Sequence, residues 1–255
     1  MRLDAALATR GLARSRSHAR QLLDAGLVRV DGRVETRAGL PVDQASLIEA
    51  ADDPYVSRAA HKLRQALDQS GVVVPARVVD AGASTGGFTQ VLLESGATRV
   101  FAVDVGHGQL SPIVARDARV SVRQGLNVRW LSLDHLDGRP VDLVVADLSF
   151  ISLTVVLDTL FGVLTPSGRA LLLVKPQFEV GRTGLDDHGV VKNPQLRQAG
   201  IDQVVARAAG LGWGLTWQSD AALAGEKGNR EAFCLFDRYP VGVPACYSGT
   251  HGDSA

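Results

Sequence analysis

Val78-Val79-Asp80-Ala81-Gly82-Ala83-Ser84-Thr85-Gly86-Gly87-Phe88 is an apolar run that stops at an acid, breaks into a glycine-rich turn and gives way to the helical pattern of Phe88 to Leu93. The order is strand, loop, helix. Gly82, Gly86 and Gly87 allow backbone to approach a bound molecule, and Asp80 stands at the carboxyl end of a strand, where open α/β sheets hold ligands.

The same grammar repeats downstream. Arg99 to Asp104 reads as a second strand ending in an acid, Val120-Ser121-Val122 as a short third, Val141 to Asp147 as a buried strand, and Ala170 to Lys175 as another. Asn193-Pro194 supplies cap and first position for a helix reaching Leu211, and Glu231 to Arg238 is the last strand. The expected fold is α/β, a doubly wound sheet with strands closing on Asp104, Asp147 and Lys175. The glycine spacing is not the dinucleotide fingerprint G-x-G-x-x-G, and no phosphate loop G-x-x-x-x-G-K-[ST] occurs, so phosphate is not the obvious target.

Upstream the pattern changes. Leu3, Ala6 and Leu7 share a helical face that Gly11 ends; Ser15 or Ser17 can cap a second helix carrying Ala19, Leu22 and Leu23, ended by Gly26. Leu27 to Val30 alternates like a strand, and Asp31-Gly32 is a hairpin turn leading to a short strand through Val34. Residues 1 to 37 hold Arg2, Arg10, Arg14, Arg16, Arg20, Arg29, Arg33 and Arg37 against Asp4, Asp24, Asp31 and Glu35, eight minus four giving +4 in a chain whose formal net charge is zero. Arginine forks without any lysine suit phosphates, although a solvated helix face has the same look. Ala50-Ala51-Asp52-Asp53-Pro54 has turn composition and sets the joint, with a first unit at 1–50, a linker at 51–57 and a second unit at 58–238. Ser57 can cap the helix of Leu63, Ala66 and Leu67, closed by Gly71, from which Lys62 projects.

The 255 residues are 45% hydrophobic, enough for a full core beside a small second unit. Cys234 and Cys246 are the only cysteines and form no metal-ligand or disulfide pattern, as expected in a reduced cytoplasm. The start has no apolar signal region, and the most apolar segment, Leu153 to Leu164, contains Asp158 and is too short to span a bilayer. After Arg238 the composition of 239–255 reads as a disordered tail.

Several of these stretches resemble known families. Arg2-Leu3-Asp4, Gly11-Leu12-Ala13-Arg14-Ser15-Arg16-Ser17 with Ala19, and Gly26-Leu27-Val28-Arg29-Val30-Asp31-Gly32 resemble an S4 RNA-binding domain. The resemblance implies that Arg2, Arg10, Arg14, Arg16 and Arg20, with Arg58 beyond the joint, meet structured RNA and supply orientation rather than chemistry. Asp80 before the glycine loop and Asp104 after the next strand resemble the S-adenosylmethionine site of class I methyltransferases. That implies cofactor contacts from Asp80, Gly82, Ala83, Ser84, Thr85, Gly86, Gly87, Phe88, Asp104 (to the ribose hydroxyls), Asn127 (near adenine, though Asn in a loop is also a turn former) and Asp147.

Methyl transfer from a sulfonium is an in-line displacement, so positioning and acceptor deprotonation are the protein's levers. The residues Asp147-Leu148-Ser149-Phe150 are not the Asn/Asp-Pro-Pro-aromatic run of amino-group methylation, and neither cysteine is placed for attack on a pyrimidine carbon. Lys62, Asp147, Lys175 and Glu231, with Ser57-Arg58-Ala59-Ala60-His61-Lys62-Leu63 as lead, resemble the Lys-Asp-Lys-Glu tetrad of FtsJ-like ribose 2′-O-methyltransferases. That resemblance implies Lys175 at the reacting hydroxyl and Lys62 as orienter; two lysines in one site and two opposing acids leave open whether Lys175 is base or orienter.

With Lys175-Pro176-Gln177-Phe178-Glu179, the whole order is similar to the TlyA family of ribosomal RNA cytidine 2′-O-methyltransferases, also called haemolysins. This implies a cytoplasmic, metal-independent enzyme acting on rRNA within a ribosomal subunit or assembly particle. Phe178 could stack on a flipped base, or equally serve as a core aromatic; Arg182 and Lys192 could touch phosphates. The chain lacks extra basic residues before Arg2 and a helical carboxyl end, features of members that modify both subunits, so a large-subunit-only activity is expected. The rival expectations are an S4 RNA-binding protein without methyl transfer, a membrane-active haemolysin, and a methyltransferase for small molecules or proteins.

Overall fold

A computed structural model describes residues 1–225 and 227–239; the tail from 240 onward, with Cys246, lies outside the described residues. The first unit opens with α1 (Leu3–Thr9) and α2 (Arg16–Asp24). Ser15 caps α2, its hydroxyl accepting from His18 N–H at 3.1 Å. The strands β1 (Val28–Val30), β2 (Arg33–Val34) and β3 (Ile48–Ala50) form an antiparallel sheet in the order β2-β1-β3. Leu3, Leu7, Leu22, Leu23 and Val28 are its fully buried centre. The third strand is hidden in the sequence, where Ala50 belongs to the turn composition of the joint.

The second unit runs α3 (Ala59–Ser70), β4 (Arg77–Ala81), α4 (Gly87–Glu94), β5 (Arg99–Asp104), α5 (Pro112–Ala115) and β6 (Val120–Gln124). It continues with β7 (Val141–Ala146), α6 (Leu157–Gly162), β8 (Leu164–Val174), α7 (Pro176–Glu179), α8 (Pro194–Gly210), β9 (Trp213–Asp220) and β10 (Ala232–Arg238). Its seven strands lie in the order β6-β5-β4-β7-β8-β10-β9. The first five are parallel, while β10 is antiparallel to both β8 and β9. The direction of winding reverses between β4 and β7, so ligand space is expected above their carboxyl ends. Two cores sandwich the sheet: Val79, Phe101, Val144 and Leu172 face α6 and α8, while Val78, Val100, Val145 and Leu171 face α3 and α4.

Two expectations need correction, and one strand has no counterpart in the sequence reading. Ser57 does not cap α3: Arg58 holds the cap position without a side-chain bond, and the helix is fixed at its other end by Gly71 in the left-handed conformation. Strand β8 begins at Leu164, not Ala170; its register against β7 shifts between Val141 and Leu143, and the Pro166-Ser167-Gly168 bulge inside it reads as a turn in sequence. Strand β9 carries no clear sequence signal, because its outer face is polar and it lies at the sheet edge.

Candidate active site

Pairing between strands delivers the acids and lysines to one rim. Ala81 pairs with Ala146, so Gly82 and Asp147 leave adjacent strands together; Asp147 N–H donates to Ala81 O at 3.0 Å. A Cβ at Gly82 would lie 2.6 Å from the Asp147 carbonyl oxygen, and the residue holds φ +87°, which explains glycine there. Ala232 pairs with Val174, which sets Glu231 beside Lys175.

A cleft of about 580 Å³ opens at this rim, bounded by Gly82, Ser84, Asp104, Asn127, Asp147 and Phe150. Its apolar walls are Val105, Leu126, Leu148 and Ile151. Asp104 is fixed by backbone donors, from Ser84 N–H to Oδ2 at 2.8 Å and from Gly106 N–H to Oδ1 at 2.7 Å. Asn127 lines the cleft and also caps a 3-10 turn, accepting from Arg129 N–H at 3.0 Å. Asp80 is fully buried behind the loop. Thr89 Oγ1 donates to its Oδ2 at 2.6 Å, while Oδ1 has no partner among the described residues. Burial first, then the nearby Asp147 charge, push its carboxyl up to about 7 despite the Thr89 bond.

Not every glycine-loop residue faces the cleft. Gly86 backs onto Leu110 and Val114, and a Cβ at Gly87 would meet Ser57 Oγ and the Ala60 amide, so both permit helix packing. Phe88 is 2% exposed and stacks on Phe233 at 6.0 Å; its expected cofactor contact gives way to a core position. Ala83 is buried against Ala102, Leu110 and Val114, and Thr85 is exposed without lining the cleft.

The four charged residues form two pairs. Lys62 Nζ donates to Glu231 Oε2 at 2.7 Å, and the two are 5% and 3% exposed, so Lys62 is no surface lysine. Lys175 Nζ lies 2.7 Å from Asp147 Oδ1, an ion-pair contact off the hydrogen-bond axis, and donates to Ser149 Oγ at 2.8 Å. The single turn α7 joins the pairs: Lys175 is its cap, Gln177 Nε2 donates to Glu231 Oε1 at 3.1 Å, and Glu179 accepts from Ser152 Oγ at 2.5 Å and from Leu153 N–H at 2.9 Å. Burial pushes the Glu179 carboxyl above its ordinary range, and those two donors oppose the shift. Glu179 thereby pins the 147–152 loop, on which Phe150 holds φ +63° with 92% exposure and packs at 5.4 Å against half-buried Phe178. Gln177, Glu179, Ser149 and Phe150 were not singled out from sequence as site residues. The family-like runs that contain them were the available signal.

In the first unit, Asp4 is fully buried and receives Arg16 at 2.9 Å, Arg2 at 3.1 Å and Arg20 at 3.3 Å. The Arg16 bond foremost, then Arg2, hold its carboxyl well below the usual range against the opposing effect of burial. These three arginines stay about half exposed, so their outer faces are presented together. Arg14 is exposed, whereas Arg10 donates to the carbonyls of Ser46 and Asp43 and pins that loop. Arg58 meets Asp24 at 3.5 Å. Among the described residues, no helix is long and apolar enough to cross a membrane, and no group of three or more His, Cys, Asp or Glu is set to hold a metal ion.

Comparison with known proteins agrees with this layout. A profile of the S4 domain matches residues 1–48, and one of FtsJ-like methyltransferases matches 55–238. The 16S/23S rRNA (cytidine-2′-O)-methyltransferase TlyA of Mycobacterium tuberculosis is 46% identical over 236 residues, covering 91% of this chain and 88% of the relative. The chain belongs to the TlyA family. Another TlyA, the 23S rRNA (cytidine-2′-O)-methyltransferase of Campylobacter jejuni subsp. jejuni, is 34% identical over 201 residues, covering 78% of this chain and 74% of its own. A solved structure from Streptococcus thermophilus that carries the hemolysin name shares 31% identity at a TM-score of 0.73, covering 96% of this chain and 92% of that one.

Proposed function

We propose that this TlyA-family chain transfers a methyl group from S-adenosylmethionine to the ribose 2′-hydroxyl of a cytidine in ribosomal RNA, with large-subunit RNA as its substrate. The observation that carries the reading is the Lys175–Asp147 ion pair at the rim of the cleft, with the Lys62–Glu231 pair joined to it through α7. Large-subunit RNA is common to the names of the Mycobacterium and Campylobacter relatives.

The residues present fit the cofactor. Asp80 Oδ1 is a buried acceptor without a partner among the described residues, suited to an ammonium group. Asp104, held by two backbone donors, keeps lone pairs for the ribose hydroxyls, and Val105, Leu126 and Ile151 suit a flat apolar ring beside Asn127. When bound, the sulfonium supplies an electrophilic methyl group. The chain's task is then to bring a ribose oxygen in line with it and manage the departing proton. Lys175, oriented by Asp147 and Ser149, meets the hydroxyl, as base or as orienter. Lys62, held by Glu231, stabilises charge that builds on the oxygen.

Phe150 supports an RNA acceptor: an exposed aromatic in a strained conformation at the cleft mouth, braced by Phe178, is a stacking platform for an extruded base. The Asp4-centred arginines give the first unit a preformed phosphate-binding face. Mapping 2′-O-methyl groups on 16S and 23S rRNA, from cells with and without the protein, tests the reading. Loss of a cytidine mark in 23S rRNA alone is the expected result; loss in both RNAs would widen the substrate, and loss in neither would refute it.

A further inference from the structure

The reading above uses α7 for Lys175 and Glu179, yet Gln177 makes the contact that joins the two charge pairs. Glu231 is 3% exposed and each of its carboxylate oxygens has one donor: Lys62 Nζ on Oε2 at 2.7 Å and Gln177 Nε2 on Oε1 at 3.1 Å. The donors come from α3 and α7, 115 positions apart in sequence (177 − 62). An ionised carboxylate only accepts, so the amide must turn its nitrogen toward Glu231 and its oxygen away. That oxygen, Gln177 Oε1, is buried and has no partner among the described residues.

A side chain selected for packing alone would not carry this burden, because methionine or leucine would fill similar space without an unsatisfied buried acceptor. A local rule broken beside a charged site is a mark of function. The backbone adds a second constraint: a Cβ at Gly225 would stand 2.6 Å from Glu231 Oε1, so the 225 loop closes over the same oxygen that Gln177 holds. With Oε1 engaged by Gln177, the carboxylate meets Lys62 through Oε2 alone, one bond from an ammonium that carries three N–H donors.

We propose that Gln177 is a positioning residue for Lys62, acting through Glu231 to aim the ammonium at the ribose hydroxyl. This rests on the reading of Lys62 given under Proposed function. Single-turnover methylation of 23S rRNA by Gln177→Ala and the volume-conserving Gln177→Met tests it, with affinities for S-adenosylmethionine and RNA measured separately. The expected result is a transfer rate about 10- to 100-fold lower in both variants with both affinities within about twofold of the unsubstituted chain. In a Lys62→Ala background, where long incubations read the residual rate, Gln177→Met should cost nothing further, since the lysine it aims is gone. The inference is overturned by a Gln177→Met rate within about threefold of the unsubstituted chain, by a loss confined to affinity, or by a further loss of about tenfold in the Lys62→Ala background. If the unsubstituted chain transfers no methyl group to rRNA at all, the function reading itself fails and the inference falls with it.

Discussion

Replacing Asp80 by asparagine separates what this carboxyl costs the fold from what it does for a ligand. The group is fully buried, with Thr89 on one oxygen and no partner among the described residues on the other. A rise from the ordinary carboxyl value of 3.8 to about 7 means that ionising it inside the folded chain costs about 4 kcal/mol, at about 1.4 kcal/mol per pH unit. Because the folded-state value lies above the unfolded one, the native chain binds the proton more tightly, and stability falls as pH rises from about 4 to about 7. By the same linkage the penalty is about 2 kcal/mol at pH 5 and about 4 at pH 7.5. Asparagine removes it and keeps the acceptor for Thr89, but leaves an amide N–H where Oδ1 stood, at a cost of about 1–3 kcal/mol. Asp80→Asn is therefore expected to be about neutral at pH 5 and stabilising by about 1–3 kcal/mol at pH 7.5, read from urea unfolding at both pH values. Its affinity for S-adenosylmethionine should fall by about tenfold or more, since the ammonium loses a buried anion. Calorimetric titration of the unsubstituted chain in buffers of different ionisation heat should show proton release on binding at pH 6.5. A stability gain equal at both pH values, or unchanged affinity, would refute the reasoning.

Lys175→Ala is expected to keep calorimetric binding of S-adenosylmethionine while single-turnover transfer is lost; near-normal transfer would remove Lys175 from the chemistry. Phe150→Ala should leave cofactor binding intact and weaken productive RNA engagement by about 5- to 150-fold, the range of one base–aromatic stack, as read by kcat/KM for RNA. Asp4→Asn should destabilise the first unit by about 1–3 kcal/mol, because three half-exposed arginines lose a shared anion yet can turn to solvent, and should flatten the salt dependence of RNA binding in filter assays. The Asp4 contribution is present above the unfolded carboxylate range and is lost as pH falls through its lowered native value, so the difference between Asp4→Asn and the unsubstituted chain should shrink in acid.

The parts of the site legible in sequence are those written into local pattern. An apolar run ending at Asp80, a second ending at Asp104, and a third followed by Asp147 each announce a parallel strand with an acid at its carboxyl end. What stayed hidden depends on which way a residue turns after the strand ends. Phe88 directly follows Gly87, yet one helical step carries it into the core against Phe233. The start of β8 was obscured by Pro166 and Gly168, which signal a turn in sequence and make a bulge in the sheet. Lys62 reads as a surface residue because nothing local reports that Glu231, 169 positions away, buries with it. Phe150 gives no warning of its left-handed backbone, which the packing of its loop imposes.

One turn of helix accounts for much of the site's rigidity. α7 is too short to be stable on its own, since a helix of four residues scarcely offsets the cost of nucleation. It persists because Pro176 presets its first position, and because Lys175, Gln177 and Glu179 each hold a different segment: the Asp147–Ser149 loop, the head of β10, and the Ser152–Leu153 turn. Those bonds reach residues that are 26 to 54 positions away along the chain, so they depend on the sheet being formed. The turn thus depends on the sheet more than the sheet depends on the turn, so a substitution in it should alter transfer more than it alters the fold.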